Sequence, residues 1–244
     1  MRIIVKAAGA AAALPLILTA CSTSSSTGSA PSAQPTATTT AAAAPSSADP
    51  DAGLFTGTQL KSMLAPASFF PSSFSPDPSG TVSTGDTFQA ATPPGKLACG
   101  RLDTTGWVDL SDIGSVSFAQ SDFIDKSISE EYAQEIDEYQ GLGAKKVMAA
   151  LRKVATRCRT FRDQQTSSTV RVKLGKGPSL GDDSLSFTLT SPRWQGGTTL
   201  EAIRIGTAVV TVLYSAVNGN GAAQANVLAG IVAGKVIQKS LSAS

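Results

Sequence analysis

From Ser22 to about Ala52 the chain is almost wholly Ser, Thr, Ala, Pro and Gly, with no aromatic residue and no charge before Asp49. A run of this kind cannot bury enough apolar surface to offset the entropy of ordering it. Whatever folds must therefore begin near Leu54, which leaves about 190 residues, the size of one domain with its own core. As a flexible coil the run would span roughly 30 Å, and more where its prolines stiffen it. Ser and Thr beside Pro also suit O-glycosylation, and a bare spacer fits the composition equally well.

Upstream of that run, Arg2 and Lys6 precede a stretch from Ala7 to Ala20 without charge, which ends in Leu18-Thr19-Ala20-Cys21. A membrane span needs about 20 apolar residues, and Pro15 interrupts this shorter run, so the segment reads as a cleaved signal peptide. The small residues Thr19 and Ala20 give a peptidase access to the bond before Cys21. The thiol of Cys21 can then carry a thioether-linked diacylglycerol, and two or more acyl chains hold stably at ~0.8 kcal/mol per buried methylene. The expected organisation is a signal peptide over 1–20, a lipidated disordered linker over 21–53 and a folded domain over 54–244. Its expected place is the outer face of the cell membrane.

Cys21 apart, Cys99 and Cys158 are the other two of the three cysteines. An even number in an oxidising compartment predicts a disulfide between them, and a pair of free thiols is the alternative. The bridge would close a loop of about 60 residues, for which the chain-entropy model gives up to ~4 kcal/mol. Without Arg2 and Lys6, the 20 basic residues fall to 18 and match the 18 acidic ones, so the mature chain is near neutral and no nucleic-acid partner is expected. The chain has no histidine. That removes the usual proton shuttle and the commonest transition-metal ligand, and the expectation is a non-enzyme with no metal and no cofactor.

Thr56 to Leu64 reads as a short helix ended by Pro66, followed by an irregular Pro/Ser/Phe segment through Gly80. Ser115–Asp125 and Ser127–Tyr139 read as strands, although Ile128, Tyr132 and Ile136 also fit a helical spacing. Val147, Leu151, Val154, Cys158 and Phe161 form one apolar stripe of a helix over 144–161, with Cys158 facing the core. The cations of that helix, Lys145, Lys146, Arg152, Lys153, Arg157, Arg159 and Arg162, suit a solvated face or an anion-binding one. Val170-Val172-Leu174 and Leu185-Phe187-Leu189 alternate as half-buried strands, and Ile203 to Tyr214 forms a hairpin turning near Gly206 whose second strand is apolar on both faces. Val227, Leu228, Ile231, Val232 and Val236 mark a last amphipathic helix. The expected fold class is α+β: an antiparallel sheet of about five or six strands packed against two long helices, with one disulfide.

Several motifs fail on their chemistry. Gly177-Pro178-Ser179-Leu180-Gly181 matches the G-x-S-x-G elbow, but no histidine exists to take the Ser179 proton and strands are expected on both sides. Gly141-Leu142-Gly143 ahead of a helix lacks the third glycine of a phosphate loop, since Lys146 stands there. Glu130-Glu131, Asp137-Glu138 and Asp182-Asp183 are adjacent carboxylates, and neighbours along a strand point to opposite faces. Trp107 and Trp194 read as packing residues.

Taken together, Cys99, Gly106-Trp107, Leu151-Arg152-x-x-Ala155-x-x-Cys158-x-x-Phe161, Pro178-x-Leu180-Gly181-Asp182-Asp183-Ser184 and Arg204-x-Gly206-x-x-Val209-Val210 resemble the PknH-like extracellular sensor domain of actinobacteria. That family occurs on receptor-type serine/threonine kinases and on stand-alone lipoproteins, and the resemblance covers roughly Leu54 to Leu241. It implies an antiparallel sheet whose helices form a cleft for an unidentified ligand, and no catalysis. The kinase version resembles a two-disulfide domain, whereas only Cys99 and Cys158 are available here. No kinase domain or spanning helix is present in the sequence, so a signal would need a membrane-protein partner. The leading expectation is a membrane-anchored sensor that binds a small ligand or envelope component through residues the sequence does not name. The alternatives are an envelope scaffold that docks another protein and, as a third, a His-free hydrolase.

Overall fold

Thr56 starts the first helix of the folded part: its backbone N–H donates to Gln59 Oε1 at 2.8 Å while its hydroxyl accepts from the Gln59 N–H, a reciprocal cap. Helix α1, Gly57–Met63, stops at Leu64 because Pro66 cannot continue it. The computed structural model describes residues 49–243. The expected signal peptide, Cys21 and nearly all of the expected linker lie outside those residues.

Strands β1 (Ser75–Ser83), β2 (Ser117–Asp125) and β3 (Glu130–Glu138) form a meander, and helix α2 (Gly143–Arg157) follows. Then come β4 (Thr160–Arg162), β5 (Thr169–Gly175), β6 (Asp183–Thr190), β7 (Gly197–Ile205), β8 (Ala208–Ser215) and helix α3 (Ala222–Ala243). The sheet is antiparallel throughout, in the order β1-β2-β3-β8-β7-β6-β5-β4. Helix α2 therefore carries the chain to the far edge, and the remaining strands return until β8 closes against β3. The α+β expectation holds, but the sheet has eight strands, where five or six were expected.

The two missed strands have physical explanations. Pro76 and Pro78 made the segment before Gly80 look irregular, yet it pairs with β2 as β1. An edge strand uses only one side of its ladder, and the register breaks between Asp77 and Val82, so the prolines cost little there. Strand β4 was absorbed into the predicted helix. That helix ends at Arg157, with Cys158 as its C-cap, and Phe161 packs toward the core from a three-residue strand instead.

Period-2 alternation gives the sheet two buried faces. Leu60 of α1 and Leu228, Val232 and Val236 of α3 cover Ile136, Ile203, Val210 and Val212 on one face. On the other, Val147, Met148 and Leu151 of α2 pack with Leu185, Phe187, Leu200 and Leu213, and Trp107 meets Phe187 edge to face at 5.6 Å. Strand β8 is apolar on both faces, as a central strand must be. Cys99 opens a 3-10 turn, Cys99–Asp103, and is bonded to Cys158 with their Cα atoms 5.5 Å apart, which ties that turn to the end of α2. Cys158 is fully buried.

Candidate functional site

Strand β3 leaves the sheet at Tyr139, whose N–H donates to Thr207 O, and the chain reverses through Gln140-Gly141-Leu142 into α2. The reversal demands glycines. Gly141 has φ +54°, and a Cβ on Gly143 would stand 2.7 Å from Cβ of Tyr139. Opposite it, Gly114 lets the backbone of Thr92 approach to where its Cβ would be, and the Asp112 carboxylate accepts from the Gly95 N–H at 3.0 Å. Between these walls lies a recess of about 310 Å³. Pro93, Ile113 and Leu142 supply its apolar surface, and Gln140, Asp112 and Lys146 its polar groups.

This recess is where α2 begins. Leu142 offers no side-chain cap, the first turn carries no acid, and the Gly143 and Lys146 N–H groups bond to Gln140 O and Leu142 O. The N–H groups of Ala144 and Lys145 are left without a backbone acceptor, in the first turn of a helix whose macrodipole is positive at this end. Lys146 adds a full charge beside them. With Lys146 and the Asp112 carboxylate both in its lining, the recess suits a small ligand with an apolar body and a polar end that pairs with Lys146, at the lower limit of ordinary small-molecule sites.

A second group of polar side chains lies inside the sheet. Asp122 on β2 is 4% exposed, and its Oδ2 accepts from Thr105 Oγ1 at 2.6 Å while Oδ1 has no partner. Burial, reinforced by Glu131, Glu135 and Asp77, pushes its carboxyl up to about 8 against the pull of Thr105. Glu138 and Glu201 are pushed up to about 7, each chiefly by burial. Gly80 belongs to the same cluster, because a Cβ there would collide with the Asp122 carboxylate. Among the described residues, no three of His, Cys, Asp and Glu stand where they could hold a metal ion.

The motifs set aside in the sequence occupy structural positions. Ser179 lies in the turn between β5 and β6, and Ser184 Oγ donates to Pro178 O there. Asp182 Oδ2 accepts from Arg204 at 2.9 Å and from the Gly206 N–H, and Asp183 pairs with Arg152. Trp107 is core, while Trp194 Nε1 donates to Asp163 at 3.0 Å. Burial would raise the Asp163 carboxyl, but donors from Thr166, Trp194 and two backbone N–H groups hold it down at about 2. Sequence reasoning passed over both Asp122 and the recess. An acid at an inward strand position was the available signal for Asp122, whereas the recess walls come from segments far apart in the chain.

No family model matches this chain, and no curated protein matches its sequence. The fold resembles the extracellular domain of PknH. That domain, from Mycobacterium tuberculosis, superposes with a TM-score of 0.51 at 12% identity, over 78% of this chain and 98% of the other. At that identity the likeness concerns the arrangement of strands and helices and assigns no residue a role. Among the described residues, no helix is long and apolar enough to cross a membrane.

Proposed function

We propose that the chain is an extracytoplasmic lipoprotein, anchored through Cys21, whose folded domain senses a small molecule or envelope component and performs no catalysis. The recess at the β3–α2 junction carries this reading: it joins an apolar wall of Pro93, Ile113 and Leu142 to the Lys146 side chain, which offers an anionic group a counter-charge, while the one carboxylate in its lining, Asp112, is engaged with the Gly95 N–H. The bridge between Cys99 and Cys158 supports an oxidising location. The fold shared with an extracellular domain supports it too. Without a spanning helix in the described part, the response to ligand would pass to a membrane-protein partner.

Thermal denaturation against carboxylate- and phosphate-bearing amphiphiles tests the reading. A ligand at 100 times its Kd adds about 2.7 kcal/mol, which raises the melting temperature measurably. Lys146→Ala should abolish that shift while leaving the unliganded melt unchanged, because Lys146 is exposed. A broad panel that shifts neither protein overturns the assignment. Labelling with a palmitate analogue, which should be lost in Cys21→Ala, tests the anchor separately.

A further inference from the structure

The near-neutral total hides a segregation of charge. Residues 145–176 carry ten lysines and arginines against a single acid, Asp163, whereas residues 77–138 carry twelve acids against Lys96, Arg101 and Lys126. The fold separates only part of these stretches: β1, β2 and β3 form one end of the sheet and β5 and β4 the other, while α2, which carries Lys145 and Lys146 at its start, leads from β3 past the 3-10 turn Trp107–Ser111 toward β4. The two ends differ in exposure as well. All ten cations are exposed, while Asp122, Asp125, Glu135, Asp137 and Glu138 are buried. Arg152 is neutralised by Asp183, and none of the other nine cations forms an ion pair with a described residue.

The cations line α2 and then β4 and β5, successive elements that meet at the free edge of the sheet. Lys145, Lys146, Lys153 and Arg157 lie along the outer side of α2. Arg162, Arg171 and Lys173 follow on β4 and β5, where the Thr160–Arg171 and Phe161–Val170 pairing puts all three on the sheet face opposite Val170 and α2, around the free edge. We infer that this rim docks on an anionic lipid bilayer surface, with Leu142 at its leading tip.

Two observations favour a bilayer over a second copy of the chain. A copy would have to offer an exposed acidic surface of matching strength, and five of the twelve acids at the other end are buried. Leu142 is 67% exposed between Gly141 and Gly143, directly ahead of Lys145 and Lys146, an apolar tip flanked by cations of the kind that seats in a headgroup layer. The upstream chain also joins the fold here, since Gln140 Nε2 donates to the Asp51 carboxylate at 2.7 Å. Leu142 and Lys146 also line the recess, so the inference is tested on Arg162, Arg171 and Lys173, which lie outside it.

Residues 49–244, a compact unit containing both cores and the disulfide, provide the soluble, unacylated test protein. It should float with phosphatidylglycerol-containing vesicles at low ionic strength, remain free of pure phosphatidylcholine vesicles and be released by salt. Reversing Arg162, Arg171 and Lys173 to Glu should weaken partitioning at least about ten-fold. These exposed positions lie outside the recess, so an unchanged melting curve and an unchanged ligand shift would show that the fold and the site survive. The Gln versions of the three should lie between. Failure to bind anionic vesicles, equal binding to both vesicle types, or indifference to the triple reversal overturns the inference. Self-association by sedimentation without vesicle binding would assign the rim to a second copy instead.

Discussion

Replacing Asp122 by Asn should stabilise the domain, and by an amount that depends on pH. In the folded state the carboxyl is buried under the β1 bulge, holds one hydrogen bond from Thr105, and faces Glu131, Glu135 and Asp77, so it keeps its proton up to about 8. In the unfolded chain it ionises near 3.8. A carboxyl raised on folding stabilises fully below the unfolded value, and that stability is lost as pH rises toward the folded one. Each pH unit in that window costs about 1.4 kcal/mol, so about 4 kcal/mol has gone by pH 7. Asn copies the protonated shape, and its amide can donate toward the surrounding carboxylates without ever ionising. Urea denaturation followed by the fluorescence of Trp107 and Trp194 should give two curves that nearly coincide at pH 4 and diverge to about 4 kcal/mol at pH 7, with the variant the more stable. A difference that stays constant across the range would refute the reasoning, because it would mean that Asp122 contributes shape or hydrogen bonding but no titration.

Substituting Cys99 and Cys158 together by Ser should lower stability by about 4 kcal/mol in the same assay, since the bridge closes a loop over a separation of 59 residues. Phe187→Ala, which empties a fully buried site against Trp107, should cost about 3–5 kcal/mol and blue- or red-shift the tryptophan emission through the altered Trp107 environment.

Local order was readable where one residue's neighbours in sequence are also its neighbours in space. The stripe of Val147, Leu151 and Val154, the alternation of Leu185-Phe187-Leu189 and the glycine at 206 each report a period or a turn that needs nothing distant. The pairing of Cys99 with Cys158 followed from counting thiols once Cys21 was set apart. Strand β1 escaped because its prolines speak against a strand, and only its place at the sheet edge makes them tolerable. Strand β4 escaped because three residues are too few to show a period, and β5 alone makes them a strand.

The sequence by itself determined which segments can bury a face, the spacing of the thiols, the want of a histidine and the blocks of acidic and basic residues. Tertiary structure decided what those blocks do. By crossing the sheet, α2 carries Arg162, Arg171 and Lys173 to the far edge, while Asp122 on β2 is sunk beside Gly80 of β1 and Thr105. Helical and strand periods arise from contacts a few residues apart, whereas the recess, the buried Asp122 and the cationic rim all depend on pairing segments tens of residues apart, whose loop-closure cost is recovered only when the whole sheet forms.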